Sequence, residues 1–144
     1  MNALFQNKIK LIKLKKIKTQ KGDILKILDK KSKGYQGFSE VYFSWVKYKA
    51  IKAWKFHKKM TMNLVVIEGK IKFVFYDHLR KKFKEIVISK NNYKRIIIRP
   101  KIWFGFMGLD KKENIIINLA NTMHNKNEIY YKKLRAIKYN WRSK

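Results

Sequence analysis

Lys52, Lys55 and His57 stand close together in the stretch IKAWKFH, interleaved with Trp54 and Phe56. An imidazole can take a proton near neutral pH, and an ammonium can donate hydrogen bonds to a developing oxyanion. Successive side chains of an extended strand point to opposite faces, and the pattern predicts that the three nitrogen side chains share one space while Ala53, Trp54 and Phe56 pack the other way. Magnitudes separate the two candidate bases. A lysine of pKa about 10.4 is neutral in roughly 0.04 % of molecules at pH 7, whereas a histidine near 6.5 is neutral in about three quarters. Lys55 could act as a base only after a fall of about 3 units, worth roughly 4 kcal/mol. The assignment is therefore His57 as base and Lys55 as donor to a keto oxygen, with Asn121 or Glu40 orienting the imidazole. The alternative is that His57 is a polar lining residue without a chemical role.

Strands must position these groups. Residues 62–67 and 70–76 are apolar with a period of two on the second, and Glu68-Gly69 between them predicts a two-residue hairpin. Residues 38–47, FSEVYFSWVK, read as a strand with Glu40, Tyr42 and Ser44 on one face. Residues 8–18 fit a first strand or a basic amphipathic helix, of which the strand is preferred. Further strands are expected at 24–28, 83–89, 93–98 and 113–120, with a polar loop at 29–37 and a polar segment at 121–128 that holds His124. Pro100 precedes an aromatic wall of Trp103, Phe104 and Phe106, which suits either core packing or ligand stacking. In the tail, Tyr130, Leu134, Ile137 and Trp141 have helical spacing and predict a docked helix with its basic face in solvent. Nine or ten short strands without a repeat define an all-β chain, sandwich or barrel. It is expected as one domain over 1–144: a core at 21–128, an N-terminal strand or arm at 1–20 and a basic tail or helix at 129–144.

The chain has 144 residues, no cysteine, and 37 Lys plus Arg against 9 Asp plus Glu, a formal charge of +28. Disulfide and thiolate chemistry are thereby excluded. The lysines are spread along the chain together with abundant Ile and Asn, as AT-rich codon usage would produce, so only non-specific, salt-sensitive nucleic-acid binding is expected. No apolar run reaches the roughly 18 residues of a membrane span, and no signal-peptide pattern opens the chain. A soluble, cytoplasmic protein is expected. His57, His78 and His124 lie in separate segments, and no metal or other cofactor is expected.

In the order of its pieces the chain resembles the cupin jelly rolls of the dTDP-4-dehydrorhamnose 3,5-epimerase family and the related sugar-nucleotide 3,4-ketoisomerases, that is, RmlC-like and WxcM-like proteins. The resemblance runs from about residue 21 to 128 and is carried by IKAWKFHKKMTMNLVVIEGKIKFVFYD, NNYKRIIIRPKIWFGFMGL and NLANTMHNKNE. It places Lys52 where the epimerases have a phosphate-facing Arg, Lys55 where they have the His that abstracts the α-proton, and His57 at the second His of the ketoisomerase HxH. Phe104 falls at the second epimerase His, Asn121 at the Asp that orients the base, and Ile117 at the acidic Tyr. The usual His-Asp dyad is thus replaced.

The resemblance implies an RmlC-like cupin jelly roll with a short C-terminal helix. It also implies an isomerase acting on a dTDP-4-keto-6-deoxy sugar in surface-polysaccharide biosynthesis, working as a homodimer in which residues 8–18 exchange or add an edge strand. Lys52 with Arg99 or Lys101 would hold the diphosphate, and Tyr42 or Trp103 would stack on base or sugar. Glu40, Asn63, Phe104 and His124 complete the expected substrate-contacting set. Two other readings compete: a non-catalytic cupin that binds a sugar nucleotide or glycan, and a basic nucleic-acid-binding protein.

Overall fold

Apolar and polar residues alternate with a period of two in segments such as 8–11 and 70–73, whereas 62–67, 95–98 and 103–107 are apolar or buried almost throughout; both kinds form strands that meet in a common core. The computed structural model describes residues 2–143. In chain order the elements are α1 (Ala3–Lys8), β1 (Ile9–Lys13), β2 (Lys16–Ile17), β3 (Ile24–Leu25), β4 (Glu40–Trp45), β5 (Ile51–His57), β6 (Met62–Glu68), β7 (Lys70–Asp77), β8 (Lys82–Ser89), β9 (Lys94–Ile98), β10 (Trp103–Gly108), β11 (Ile115–Ala120) and β12 (Ile129–Tyr131), followed by one 3-10 turn at Leu134–Ala136.

Ten of these strands form two five-stranded antiparallel sheets, one ordered β1-β9-β6-β11-β4 and the other β12-β5-β10-β7-β8, while β2 and β3 pair as a small ribbon. The inner faces enclose one core that includes Met62, Leu64, Ile71, Phe73, Phe75, Ile96, Ile98, Phe104, Phe106 and Ile116. The outer face of the second sheet is covered by the C-terminal segment. There Trp54, Val74, Trp103, Met107, Ile137 and Trp141 make a second buried cluster. The outer face of the first sheet is covered only in part, by the 29–37 loop at Asn63 and Arg95.

Three expectations change. Glu68-Gly69 is not a hairpin turn, because β6 pairs with β9 and β11 in one sheet and β7 with β10 and β8 in the other. The chain turns a corner there between layers. Gly69 adopts φ 74°, and an added Cβ would collide with the Glu113 carbonyl and Asn114, so glycine serves both the left-handed backbone and the close approach. The corner is clasped by Asn114, whose Oδ1 accepts from the Lys70 and Asp110 amides at 3.0 and 2.9 Å. Second, the C-terminal helix is a single 3-10 turn; Tyr130 instead lies in β12, paired opposite Phe56. Third, the tail is woven into the fold through β12, which pairs with β5, while the preferred first strand is present as β1 alongside β9. Among the described residues no helix is long and apolar enough to cross a membrane.

Candidate active site

One cleft between the sheets is lined by polar as well as apolar side chains. Its walls are Tyr42 and Ser44 of β4, Asn118 and Ile116 of β11, Met62 and Leu64 of β6, Lys55 and His57 of β5, and Phe104 and Phe106 of β10. The enclosed part holds about 40 Å³, room for little more than one water.

A bulge brings the lysines together. Phe104 pairs with Lys55 and Phe106 with Lys52, so Ala53 and Trp54 together stand opposite Gly105. The alternation that predicts one shared space for the three nitrogen side chains accounts only for Lys55 and His57 and would put Lys52 on the opposite face; the extra residue reverses the parity and returns Lys52 to their side. Gly105 is required at this point because a Cβ would strike Ala53. Trp54 is thereby turned outward into the second cluster.

His57 is 6 % exposed, and its Nδ1 lies 2.8 Å from Glu128 Oε2. The other carboxylate oxygen, Oε1, accepts the Lys59 and Met60 amides at 3.0 and 2.8 Å. Burial pushes the Glu128 carboxyl up, but the hydrogen bonds from His57 and the two amides outweigh it and hold the group below the ordinary carboxylate range. Burial lowers His57, and this outweighs the opposing pull of Glu128; the Lys55 and His124 charges add to the lowering. An ionised Glu128 beside a neutral imidazole fixes the tautomer. Nδ1 carries the hydrogen and donates it to the carboxylate, leaving the Nε2 lone pair free. The ring lies against Phe104, centroids 6.0 Å apart.

Lys55 is half-buried with its ammonium 5.8 Å from the centre of the Phe106 ring, and no carboxylate or carbonyl among the described residues pairs with it. Burial, reinforced by Lys52, lowers its pKa. Lys52 lies nearer solvent, and its ammonium donates to Ser44 Oγ and the Trp45 carbonyl at 2.9 and 3.0 Å, tying β5 to β4 across the end of the cleft. Opposite, Asn118 Nδ2 donates to the Tyr42 hydroxyl at 2.9 Å. Burial raises the Tyr42 pKa, against the lowering effect of Asn118.

The structure thus gathers Lys52, Lys55, His57, Tyr42 and Phe104 at one cleft, and places the other expected residues elsewhere. Asn121 does not orient His57: its Oδ1 accepts the Thr61 amide at 2.8 Å and closes the end of β11 on β6. Glu40 does not either, because its carboxylate accepts the His124 amide at 2.7 Å and holds the 121–128 segment. His124 itself is exposed at the rim. Asn63 points to the outer face, where its Oδ1 accepts from Arg95 at 2.8 Å and its amide donates to the Gly34 carbonyl. Arg99 is exposed outside the cleft. Trp103 belongs to the outer cluster, its ring 5.2 Å from Phe56 and 4.8 Å from the Lys132 ammonium. Ile117 also faces outward, since its neighbours Ile116 and Asn118 line the cleft. The residues missed are Glu128 and Asn118. A lone acid just before an apolar strand, in a chain with few acids, was the available signal for the first; the inward parity of the 115–120 strand was the signal for the second.

Two antiparallel sheets closing on a polar cleft, with a carboxylate-clamped histidine on one wall, define an RmlC-like cupin jelly roll. Solved structures agree. A dTDP sugar isomerase from Desulfovibrio desulfuricans G20 matches at TM-score 0.85 and 27 % identity, over 92 % of this chain and 90 % of that one. A variant of the 3,4-ketoisomerase QdtA from Thermoanaerobacterium thermosaccharolyticum, in complex with TDP-4-keto-6-deoxyglucose, matches at TM-score 0.75 and 19 % identity over 85 % and 86 %. The dTDP-4-dehydrorhamnose 3,5-epimerase of Bacillus anthracis str. Ames, with TDP and PPi bound, matches at 0.78 and 18 % over 94 % and 86 %. No curated protein sequence gives a significant match. The FdtA family profile, described as WxcM-like, C-terminal, matches residues 7–140, and the chain belongs to that family.

Proposed function

We propose that this protein is a sugar-nucleotide isomerase, of 3,4-ketoisomerase or 3,5-epimerase type, acting on a dTDP-4-keto-6-deoxy sugar. The observation that carries the reading is the His57 imidazole, neutral and clamped through Nδ1 by Glu128, with an unpaired ammonium, Lys55, beside it on the same wall. Both reactions share a first step that this pair can perform. Nε2 takes the proton from the carbon next to the ketone, the C–H electrons form a C=C bond, and the carbonyl π electrons move onto oxygen. Lys55 holds the resulting enolate by hydrogen bond and charge. Delivery of a solvent proton to the same carbon from the other face gives the epimer, with His57 releasing its own proton to water; alternatively the enolate oxygen takes the proton of the adjacent hydroxyl, His57 returns its proton to the former carbonyl carbon, and the deprotonated oxygen re-forms the ketone next door.

The enclosed space is far smaller than a pyranose, so the sugar lies at the mouth with one edge inserted, against Tyr42 and beside Lys52, whose ammonium is bonded to the cleft residue Ser44. Lys52 keeps one ammonium hydrogen beyond its two bonds, enough to meet a phosphate oxygen. Such a product is a glycosyl donor for surface-polysaccharide synthesis, made where nucleotide sugars are made, in the cytoplasm. A second copy of the chain packs on the outer face of β4. Val41, Phe43 and Trp45 there are 49, 53 and 58 % exposed and carry no charge, which suits an interface between copies that repel elsewhere. The lysines of β1 disfavour strand addition at the opposite edge of that sheet.

The test is incubation with dTDP-4-keto-6-deoxyglucose in deuterated water, followed by NMR. Exchange at C3 alone supports ketoisomerisation, and exchange at C3 and C5 supports epimerisation. Exchange at neither, with ligand-induced stabilisation only, leaves a binding protein and overturns the enzymatic reading. His57→Asn is expected to abolish exchange while leaving the protein folded.

A further inference from the structure

Asn118 is 1 % exposed, yet only half of its amide is used. Its Nδ2 donates to the Tyr42 hydroxyl at 2.9 Å, while its Oδ1 is buried without a donor among the described residues. A buried amide oxygen in that state costs free energy that a native structure normally recovers through a partner. The residue lines the cleft on the sheet facing His57 and Lys55, so a molecule held between the two walls meets Asn118 on the side away from the base. Of the other cleft residues on that sheet, Ile116, Met62 and Leu64 carry no hydrogen-bonding side chain, and the Ser44 hydroxyl already accepts from the Lys52 ammonium at 2.9 Å.

Resting on the isomerase reading, we infer that Asn118 is the specificity-determining residue of the cleft: its free carbonyl oxygen accepts the hydrogen of a ring hydroxyl adjacent to the reacting carbon, and its amide nitrogen holds Tyr42 beside that hydroxyl. Because Tyr42 oxygen accepts from Asn118, the phenol hydrogen is directed onward to the ligand. One side chain thus sets an acceptor and, through Tyr42, a donor. A sugar bearing the hydroxyl satisfies both. A deoxy sugar leaves the Asn118 oxygen unpaired, which is the arrangement that discriminates most strongly against the analogue lacking the group.

The test compares binding of dTDP-6-deoxyglucose with that of its 2-deoxy and 3-deoxy counterparts, by calorimetry, to the wild-type protein, Asn118→Leu and Asn118→Asp. The wild-type protein is expected to bind one deoxy ligand 10- to 100-fold more weakly than the parent, about the worth of one hydrogen bond to a buried group. Asn118→Leu should reduce that ratio to near one, whereas Asn118→Asp, which keeps acceptor oxygens of the same shape, should retain it. If the wild-type protein binds the parent but the ratios are the same in Asn118→Leu, the assignment of Asn118 is overturned and the isomerase reading stands. If the wild-type protein binds none of the three at millimolar concentration, both fall. A ligand-free readout guards against misfolding of the leucine variant: with 13C-labelled tyrosine, loss of the Asn118 hydrogen bond should raise the Tyr42 titration midpoint, and an unmoved midpoint counts against the inference.

Discussion

His57 and Glu128 are 71 residues apart in the chain and meet at 2.8 Å, both almost fully shielded from solvent. The carboxylate is itself pinned by two main-chain amides, so it cannot turn away from the imidazole. Geometry and protonation are therefore set by one contact.

Glu128→Gln changes the tautomer. Its amide oxygen would still take the Lys59 and Met60 amides, which turns the NH2 group toward His57 Nδ1 and moves the imidazole hydrogen to Nε2. The base is then blocked, and kcat/KM for exchange at C3 should fall roughly 10³- to 10⁴-fold, the scale seen when a buried acid behind a catalytic histidine becomes an amide. A loss below tenfold would show that Glu128 does not set the base.

Stability should fall on mild acidification, partly through His57. Its folded pKa is lowered, so its contribution is present in full above the unfolded value near 6.5 and is lost as pH falls through that value to the lower folded one. Urea midpoints measured from pH 7.5 to 5 should decline in the wild-type protein and decline less in His57→Asn, which has no proton to take up there. Parallel curves would contradict the lowered pKa.

Asn63→Leu should destabilise without touching chemistry. Arg95, 1 % exposed, would lose the side-chain acceptor at 2.8 Å and keep only the Lys33 carbonyl. The expected cost is about 1.5–3 kcal/mol in urea unfolding, with kcat/KM unchanged in the folded protein. A selective loss of turnover would return Asn63 to the cleft.

Trp45→Lys should leave a monomer. The substitution puts a charge at the most exposed residue of the apolar β4 stripe, and sedimentation should shift from a dimer to a single chain. A wild-type protein already monomeric at tens of micromolar would remove the proposed interface.

Much of this arrangement was legible locally. The parity of residues 40–45 put Tyr42 and Ser44 on one face, and Lys55 with His57 followed from the same rule. Lys52 joined them for a different reason, a bulge whose presence depends on how closely β10 and its Gly105 approach, which the alternation of one strand does not encode. Glu68-Gly69 is equally compatible with a hairpin and a corner; choice of partner strand decides, and that is a long-range matter. The carboxylate behind His57 comes from a distant polar segment with no periodic pattern. Asn63 could have been excluded, since Met62 and Leu64 on either side point to the core.

The C-terminal residues close the second cluster, Trp141 against Trp54 at 5.3 Å, with the Lys72 ammonium gripping the Trp141 and Ser143 carbonyls at 3.0 and 2.9 Å. The back of the sheet that carries His57 is thus sealed by the Trp141 ring, and its removal would let water reach Trp54 from behind while every cleft residue kept its place.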